Sequence, residues 1–328
     1  MSEGLTNMAT ILVTGGCGFI GSHLCAALRA RGDRVRVLDD LSTGSEANLA
    51  PGASLLIGDV ARPATVQQAL AGVDACYHLA AVASVERGVQ DWYGTHCTNL
   101  SGTVALLDAA RLHGIPVVYA SSAAVYGAAD ALPLHEGVPT RPLSAYGADK
   151  LGCEQHALVA GHTHGLRTAG LRFFNVYGPR QDPRSPYSGV ISIFSDRITR
   201  GQPVQVFGDG EQTRDFVYVA DVVRMLLAAM PAASTAAPVY NVCSGQPTSV
   251  LELAAMIADL SGQTLDLSHA APRAAEIRHS LGQPALARKE LGLQPQTTLR
   301  EGLAETLAWL AAGRPGLAER IEPLRAVS

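Results

Sequence analysis

Charge is scarce in this sequence and is concentrated nowhere. Charged residues make up 16% of the 328 positions, the formal net charge is −4, and no lysine/arginine run stands out. A nucleic-acid groove or a face for an anionic membrane needs such a run, so neither partner is expected. None of the six cysteines (Cys17, Cys25, Cys76, Cys97, Cys153 and Cys243) forms a C-x-x-C pair or lies near clustered histidines at metal-ligand spacing. No metal site is therefore expected. Cys25, Cys76 and Cys243 lie within apolar runs and read as small core hydrophobes in a reducing cytosol. No run approaches the ~18 apolar residues of a membrane-spanning helix. The first ten residues are polar, carry Glu3 and lack a basic region ahead of an apolar stretch. A secretory signal is not expected, and a cytoplasmic location is. Repeats and low-complexity tracts are also absent.

What is present is a globular composition. Hydrophobic residues make up 47%, which excludes a mostly disordered chain. The length suits one large domain, or a large and a small lobe. Through the first half, short apolar runs alternate with helical patterns. Strands are expected at Ile11–Val13, Val35–Leu38, Ser54–Ile57, Ala75–His78, Pro116–Ala120 and Leu166–Phe173, and helices near 63–71, 95–112 and 144–162. That alternation means βαβ units and a parallel sheet. Residues 178–189, rich in Pro, Gly, Ser and Arg, read as a long loop of the kind that carries function. Beyond it, strands near 204–207, 216–219 and 239–242 and helices near 220–230, 249–260, 284–291 and 300–312 suggest a smaller, partly discontinuous lobe.

Gly15, Gly18 and Gly21 follow the first strand and open the first helix. Positions without side chains let a backbone turn tightly and approach a pyrophosphate, which then rests on the helix N-terminus. The second strand ends in Asp39-Asp40. A carboxylate there can accept from both ribose hydroxyls and repels a 2′-phosphate, favouring NAD over NADP. A solvated strand-end carboxylate is the plainer alternative. Gly58-Asp59-Val60, after the third strand, is placed to flank an adenine.

Tyr146 and Lys150 stand at i and i+4, on one face of a helix. An ammonium so placed stabilises a neighbouring phenolate, letting a tyrosine act as a base toward a substrate hydroxyl. Ser121-Ser122 ends the fifth strand, at the sheet edge where such folds bind ligands. Taken alone, a Y-x-x-x-K could be a surface helix pair; beside the glycine loop, Asp39 and the strand-end serines, it reads as catalytic.

These residues, with His78-Leu79-Ala80-Ala81, Asn99, Val125-Tyr126-Gly127, Leu171 to Arg180 and Arg214 to Val219, resemble the extended short-chain dehydrogenase/reductases and, within them, the UDP-hexose 4-epimerases. The likeness spans nearly the whole chain. It implies an α/β fold: a Rossmann-type doubly wound parallel sheet with a smaller, partly discontinuous C-terminal substrate lobe. Residues 1–175, joined by about 215–245, would bind NAD, and 176–214 with 246–328 would bind a nucleotide sugar. The implied NAD contacts are Gly15, Gly18, Phe19, Ile20, Asp39, Asp59, Val60, Leu79, Ala80, Ala81, Asn99, Tyr146, Lys150 and Phe173. The implied substrate contacts are Ser122, Tyr146, Asn175, Val190, Phe207, Arg214, Arg273 and Ser280. Tyr146 would be the catalytic base, Ser122 would orient the sugar 4-oxygen, and Lys150 would hold the nicotinamide ribose. Arg214 and Arg273 would bind the diphosphate, a role suited to guanidinium, although Arg214 could instead pair with Asp215.

Sister families differ at neighbouring positions. Sugar 4,6-dehydratases carry an Asp-Glu pair after the strand-end hydroxyl, and decarboxylases a Glu in the same turn; here stand Ala123 and Ala124, which transfer no proton. Cys153 and His156 read as packing and surface residues rather than the acid of a C3/C5 epimerase. Ser280 matches a position where a bulky Tyr restricts the family to plain hexoses, and the segment Gln181-Asp182-Pro183 with Ser185-Pro186-Tyr187 resembles enzymes acting on N-acetylhexosamines. UDP-GlcNAc/UDP-GalNAc are thus expected beside UDP-Glc/UDP-Gal. The alternatives are a dTDP-deoxyhexose or UDP-uronic acid, or an NAD-binding regulator, which would typically lack the Tyr/Lys pair. The family also implies a homodimer built on the helices near 95–112 and 144–162, where Leu100, Val104 and Leu107 could face a partner or the sheet.

Overall fold

The computed structural model describes residues 8–129, 131–182, 189–272 and 277–313. Two compact units emerge, one of Met1–Val125, Thr140–Arg172 and Leu226–Tyr240, the other of Tyr126–Pro139, Phe173–Met225 and Asn241–Ser328. The first unit's elements are β1 (Thr10–Thr14), α1 (Phe19–Ala30), β2 (Arg34–Asp39), β3 (Ser54–Ile57), α2 (Pro63–Leu70), β4 (Ala75–His78), α3 (Val85–Gln90), α4 (Trp92–His96), α5 (Gly102–Arg111), β5 (Val117–Ser122), α6 (Ala145–His164) and β6 (Thr168–Phe173). There follow β7 (Asn175–Tyr177), α7 (Val190–Thr199), β8 (Val204–Phe207), β9 (Thr213–Tyr218), α8 (Val219–Ala232), β10 (Val239–Val242), β11 (Pro247–Ser249), α9 (Val250–Ser261), β12 (Leu267–Ala270), α10 (Ala285–Leu291) and α11 (Leu299–Ala312).

The expected Rossmann-type sheet is present. Seven strands lie in the order β10-β6-β5-β4-β1-β2-β3. β1 is parallel to both β2 and β4, β2 to β3, and β4 to β5. Strand order reverses between β1 and β4, which is where a doubly wound sheet opens a crevice at its C-terminal edge. Every residue of β4 and β6 is buried, so both strands are covered on both faces and show no alternation of buried and exposed positions. The core packs Leu12, Leu38, Cys76 and Val117 of the sheet against Val66 and Leu70 of α2, Leu106 and Leu107 of α5, and Cys153 and Ala157 of α6. Leu107 therefore faces the sheet, Leu100 packs against the same cluster, and Val104 is half-buried.

The second unit has its own core, in which Ile191, Phe194 and Ile198 of α7 meet Leu253 and Ile257 of α9, Leu303 and Leu307 of α11, and Val204 and Val206 of β8. Helices α9 and α11 start at capping boxes, Ser249 with Glu252 and Thr298 with Glu301. Two small sheets complete it, β11-β9-β7 and β12-β8.

Two differences from the sequence reading have physical causes. Helix α7 was not expected because VISIFSDRIT is rich in β-branched residues; burial of three side chains at helical spacing overrides that propensity. The single helix expected over 95–112 is α4, a π-turn at Cys97–Ser101, and α5. Strand β5 ends in Ser121-Ser122, as expected. All six cysteines are free, five of them buried. Among the described residues no helix is long and apolar enough to cross a membrane, and no cluster of three metal-ligating side chains forms.

Candidate active site

The C-terminal ends of β1, β2 and β4 bring the first group of residues together. Gly15, directly after β1, has φ of 70°. A Cβ there would lie 2.8 Å from the Ala80 nitrogen, so only glycine lets this turn abut the segment after β4. Gly21 is equally constrained, since a Cβ on it would collide with the Gly15 carbonyl. Gly18 is the N-cap of α1 and gives it no side-chain cap; Phe19 and Ile20 form the helix's first turn. A helix start that lacks an acceptor of its own, behind a turn without side chains, fits a pyrophosphate.

Asp39 is the last residue of β2. Its carboxylate accepts from the Cys17 and Leu41 amides, each at 2.9 Å, which ties the glycine loop to the strand end. Burial pushes this carboxyl upward, and the two backbone donors pull it back. Asp59 accepts from the Ala61 amide at 2.8 Å, and the Val60 side chain is part of the core. Leu79, Ala80 and Ala81 are half-buried after β4. Asn99 is fully buried in the π-turn, with its amide oxygen accepting from Val82 N at 2.8 Å and its amide nitrogen donating to Val82 O at 3.2 Å. Its side chain thus holds the end of the 79–82 segment.

Helix α6 and strand β5 supply the second group. Ser144 caps α6 by accepting from the Gly147 amide at 3.1 Å. Lys150, 3% exposed, donates to the Ala120 carbonyl at 2.9 Å, and its Nζ lies 5.9 Å from the centroid of the Tyr146 ring. Ser122 Oγ accepts from the Ala124 amide at 3.2 Å. Tyr146 and Ser122 are both half-buried. Behind them, Glu154 accepts a bidentate pair from Arg172 at 2.8 and 2.7 Å and a 2.5 Å bond from Ser121. This buried cluster anchors α6 to β5 and β6.

The second unit holds the remaining residues. Asn175 begins β7, and β7 pairs with β9. Arg214 of β9 donates to the carbonyls of Thr213 and Arg278 at 2.9 and 3.2 Å. Ser280 donates its amide to the Thr213 carbonyl at 3.1 Å. Arg214 and Ser280 are therefore brought to one strip. Phe207 ends β8, whose carbonyl accepts from Gln212 at 3.0 Å, and Val190 opens α7 against the second core. Asp215 is fully buried and accepts from Ser244 N, Ser244 Oγ, Gly245 N and Gly282 N. Phe173, at the end of β6, is 9% exposed. Arg273 lies outside the described residues, as do Pro183, Ser185, Pro186 and Tyr187.

A residue-by-residue reading of the sequence gives no role to Gly147, Glu154 or His78. Each acts through a partner distant in sequence, and only a carboxylate or imidazole within an apolar stretch hints at it.

A glycine loop and an aspartate at adjacent strand ends, with a Tyr-x-x-x-Lys helix beside a strand-end serine, define a dinucleotide-dependent enzyme of the short-chain dehydrogenase/reductase class. The family model described as "NAD dependent epimerase/dehydratase family" matches residues 11–243, and the chain belongs to that family. A UDP-glucose 4-epimerase of Mycolicibacterium smegmatis is 38% identical over 304 residues, 90% of this chain and 96% of that one. Among solved structures, the UDP-glucose 4-epimerase of Thermotoga maritima with UDP-glucose superposes with a TM-score of 0.90 at 34% identity, covering 93% and 99% of the two chains. The UDP-N-acetylglucosamine 4-epimerase of Methanobrevibacter ruminantium, in complex with UDP-N-acetylmuramic acid, gives 0.88 at 33% identity, again over 93% and 99%. The protein is an NAD-dependent enzyme of the epimerase/dehydratase type.

Proposed function

We propose that this enzyme interconverts the C4 epimers of a UDP-hexose, accepting UDP-Glc/UDP-Gal and UDP-GlcNAc/UDP-GalNAc. The observation that carries this reading is the pairing of Tyr146 and Lys150 with a turn, Ala123-Ala124, that has no acid or base to eliminate water. Of the two chemistries in the family's description, epimerisation needs only the proton and hydride steps at C4. The relatives called 4-epimerases favour the same choice.

Tyr146 takes the proton from the sugar 4-hydroxyl and later returns it. Ser122 fixes the 4-oxygen by hydrogen bonding, and the Lys150 ammonium stabilises negative charge developing on the tyrosine oxygen. Bound NAD would supply a reversible hydride acceptor for C4 of the sugar and would end the reaction unchanged. Gly15, Gly18, Phe19 and Ile20 receive the pyrophosphate, Asp39 the adenine ribose, and Asp59 with Val60 the adenine. Leu79, Ala80, Ala81 and Phe173 border the rest of the dinucleotide, and Asn99 acts by holding the 79–82 segment. Asn175, Val190, Phe207, Arg214 and Arg273 bind the nucleotide end of the substrate. Ser280 leaves room for a 2-acetamido group. The first unit is thus the NAD-binding unit and the second the sugar-nucleotide unit.

A homodimer is part of the same proposal. The outer faces of α5 and α6 form a shallow groove lined by Val104, Asp108, Arg111, His156, Val159 and His164. Leu112, Leu158 and Val159 stand exposed around it, an apolar surface that a second copy would cover.

The test is to purify the protein without added NAD, mix it with UDP-GlcNAc and then UDP-Glc, and follow the anomeric and H4 protons by NMR. Conversion of either sugar to its 4-epimer is expected. A protein that carries NAD and converts neither overturns the UDP-hexose assignment and moves the search to dTDP-deoxyhexoses and uronic acids.

A further inference from the structure

His78 closes β4 and is 3% exposed. Its Nδ1 lies 2.7 Å from Thr14 Oγ1 and its Nε2 3.0 Å from Thr103 Oγ1. The proton positions follow from counting donors and lone pairs. Thr14 Oγ1 accepts from the Ala80 amide at 3.2 Å and from the Leu79 amide at 3.1 Å, the latter shared with the Thr14 carbonyl. Both its lone pairs are then used, so it can only donate to His78, and Nδ1 must be the acceptor. At the other end, the Thr103 hydroxyl gives its proton to the Asn99 carbonyl at 2.6 Å. Thr103 Oγ1 must therefore accept from His78, and Nε2 carries the hydrogen. Both ends demand the same neutral tautomer. Burial and the nearby Lys150 ammonium also keep a second proton off the ring, pushing it down to about 3.

The two ends of this chain return to one segment. Thr14 holds the amides of Leu79 and Ala80. Asn99, whose carbonyl ends the chain, clamps both backbone groups of Val82 with its side chain. Gly15, the residue after Thr14, abuts the Ala80 backbone. We propose that His78, held as its Nε2–H tautomer, is a positioning residue that fixes the 79–82 segment against the glycine loop and so sets the shape of the NAD site. This rests on the cofactor half of the proposed function and not on the identity of the sugar.

Two measurements test it. In protein labelled with 15N at histidine, the His78 ring is expected to show a protonated Nε2 and an unprotonated Nδ1, with no titration between about pH 8 and pH 5. A protonated Nδ1 or a charged ring overturns the proposal. NAD affinity is then measured, without any sugar, on wild type, His78→Phe and an Asp221→Asn control. Asp221 is buried in the second unit, where its carboxylate accepts from the Gln296 and Thr297 amides at 3.2 and 3.0 Å, so the control weakens that unit. His78→Phe keeps the ring and removes both hydrogen bonds, and a loss of at least ~10-fold in affinity is expected, since a displaced backbone wall costs binding directly. The control is expected to keep wild-type affinity despite its lower stability. Affinity within about twofold of wild type in His78→Phe, or an equal loss in the control, overturns the proposal. Should His78→Phe not fold, His78→Leu, which likewise removes both hydrogen bonds, carries the same affinity test. A wild type that binds NAD but turns over no UDP-hexose defeats the sugar assignment and leaves this inference standing; unchanged affinity in the variant does the reverse.

Discussion

Gly147 packs so tightly on Ala124 that a methyl group added to it would lie 2.6 Å from the Ala124 carbonyl oxygen. The contact sets the first turn of α6, which carries Tyr146, against the turn whose amide bonds to Ser122. In an ordinary exposed helix, Gly→Ala stabilises by about 1 kcal/mol. Here the substitution must move the turn or the helix. Gly147→Ala is expected to lower kcat by ~10²-fold with a smaller change in KM, because misplacing a base by about 1 Å costs that much. Steady-state kinetics on a UDP-hexose checks it, and an unchanged kcat would show that the contact positions nothing.

Ser280 is half-buried and held to β9 by its backbone, so its small side chain can be enlarged without breaking that bond. Ser280→Tyr is expected to cut turnover of UDP-GlcNAc by ~10–200-fold and leave that of UDP-Glc within a few-fold, the scale on which steric exclusion discriminates. Full acetamido-sugar activity in the variant would remove the size argument.

The Glu154–Arg172 pair is buried on both sides, at 5% and 7% exposure. Arg172→Met strands a carboxylate in the core and is expected to cost about 3–5 kcal/mol in urea unfolding. Adding Glu154→Leu is expected to restore a large part of that loss, since the buried charge goes with it. Two single losses that simply add in the double variant would contradict a coupled pair.

His78 gives the fold a pH dependence of known sign. In the unfolded chain the ring titrates at its ordinary 6.5, and in the fold at about 3. Between those values the unfolded chain holds the extra proton, so acid favours unfolding. The contribution is complete above pH 6.5 and is lost as pH falls, at up to about 1.4 kcal/mol per pH unit. The slope of stability against pH between about pH 5 and pH 6 is expected to be shallower in His78→Phe than in wild type. Parallel curves would mean that the ring is not held neutral.

The glycine loop, Asp39 and the Tyr146–Lys150 pair were readable because each is a local pattern: a turn that needs bare backbone, a strand end, and two side chains one helical turn apart. Gly147, His78 and Glu154 were not. Their partners Ala124, Thr103 and Arg172 lie on other elements, and no spacing along the chain encodes that meeting. Helix α7 was hidden for the opposite reason, because its local β-branched character points away from the state that burial selects. The π-turn at Cys97–Ser101 interrupts a pattern that reads as one helix, and it is this interruption that carries Asn99 beneath Val82.

Lys150 and Lys289 are the two lysines of the sequence, and they could hardly be placed more differently. Lys289 is exposed on α10, whereas Lys150 is buried with its ammonium on the Ala120 carbonyl. An acylating reagent therefore reaches Lys289 directly from solvent. It reaches Lys150 only through local opening around that buried ammonium, so the ratio of the two acylation rates is a clock for such opening.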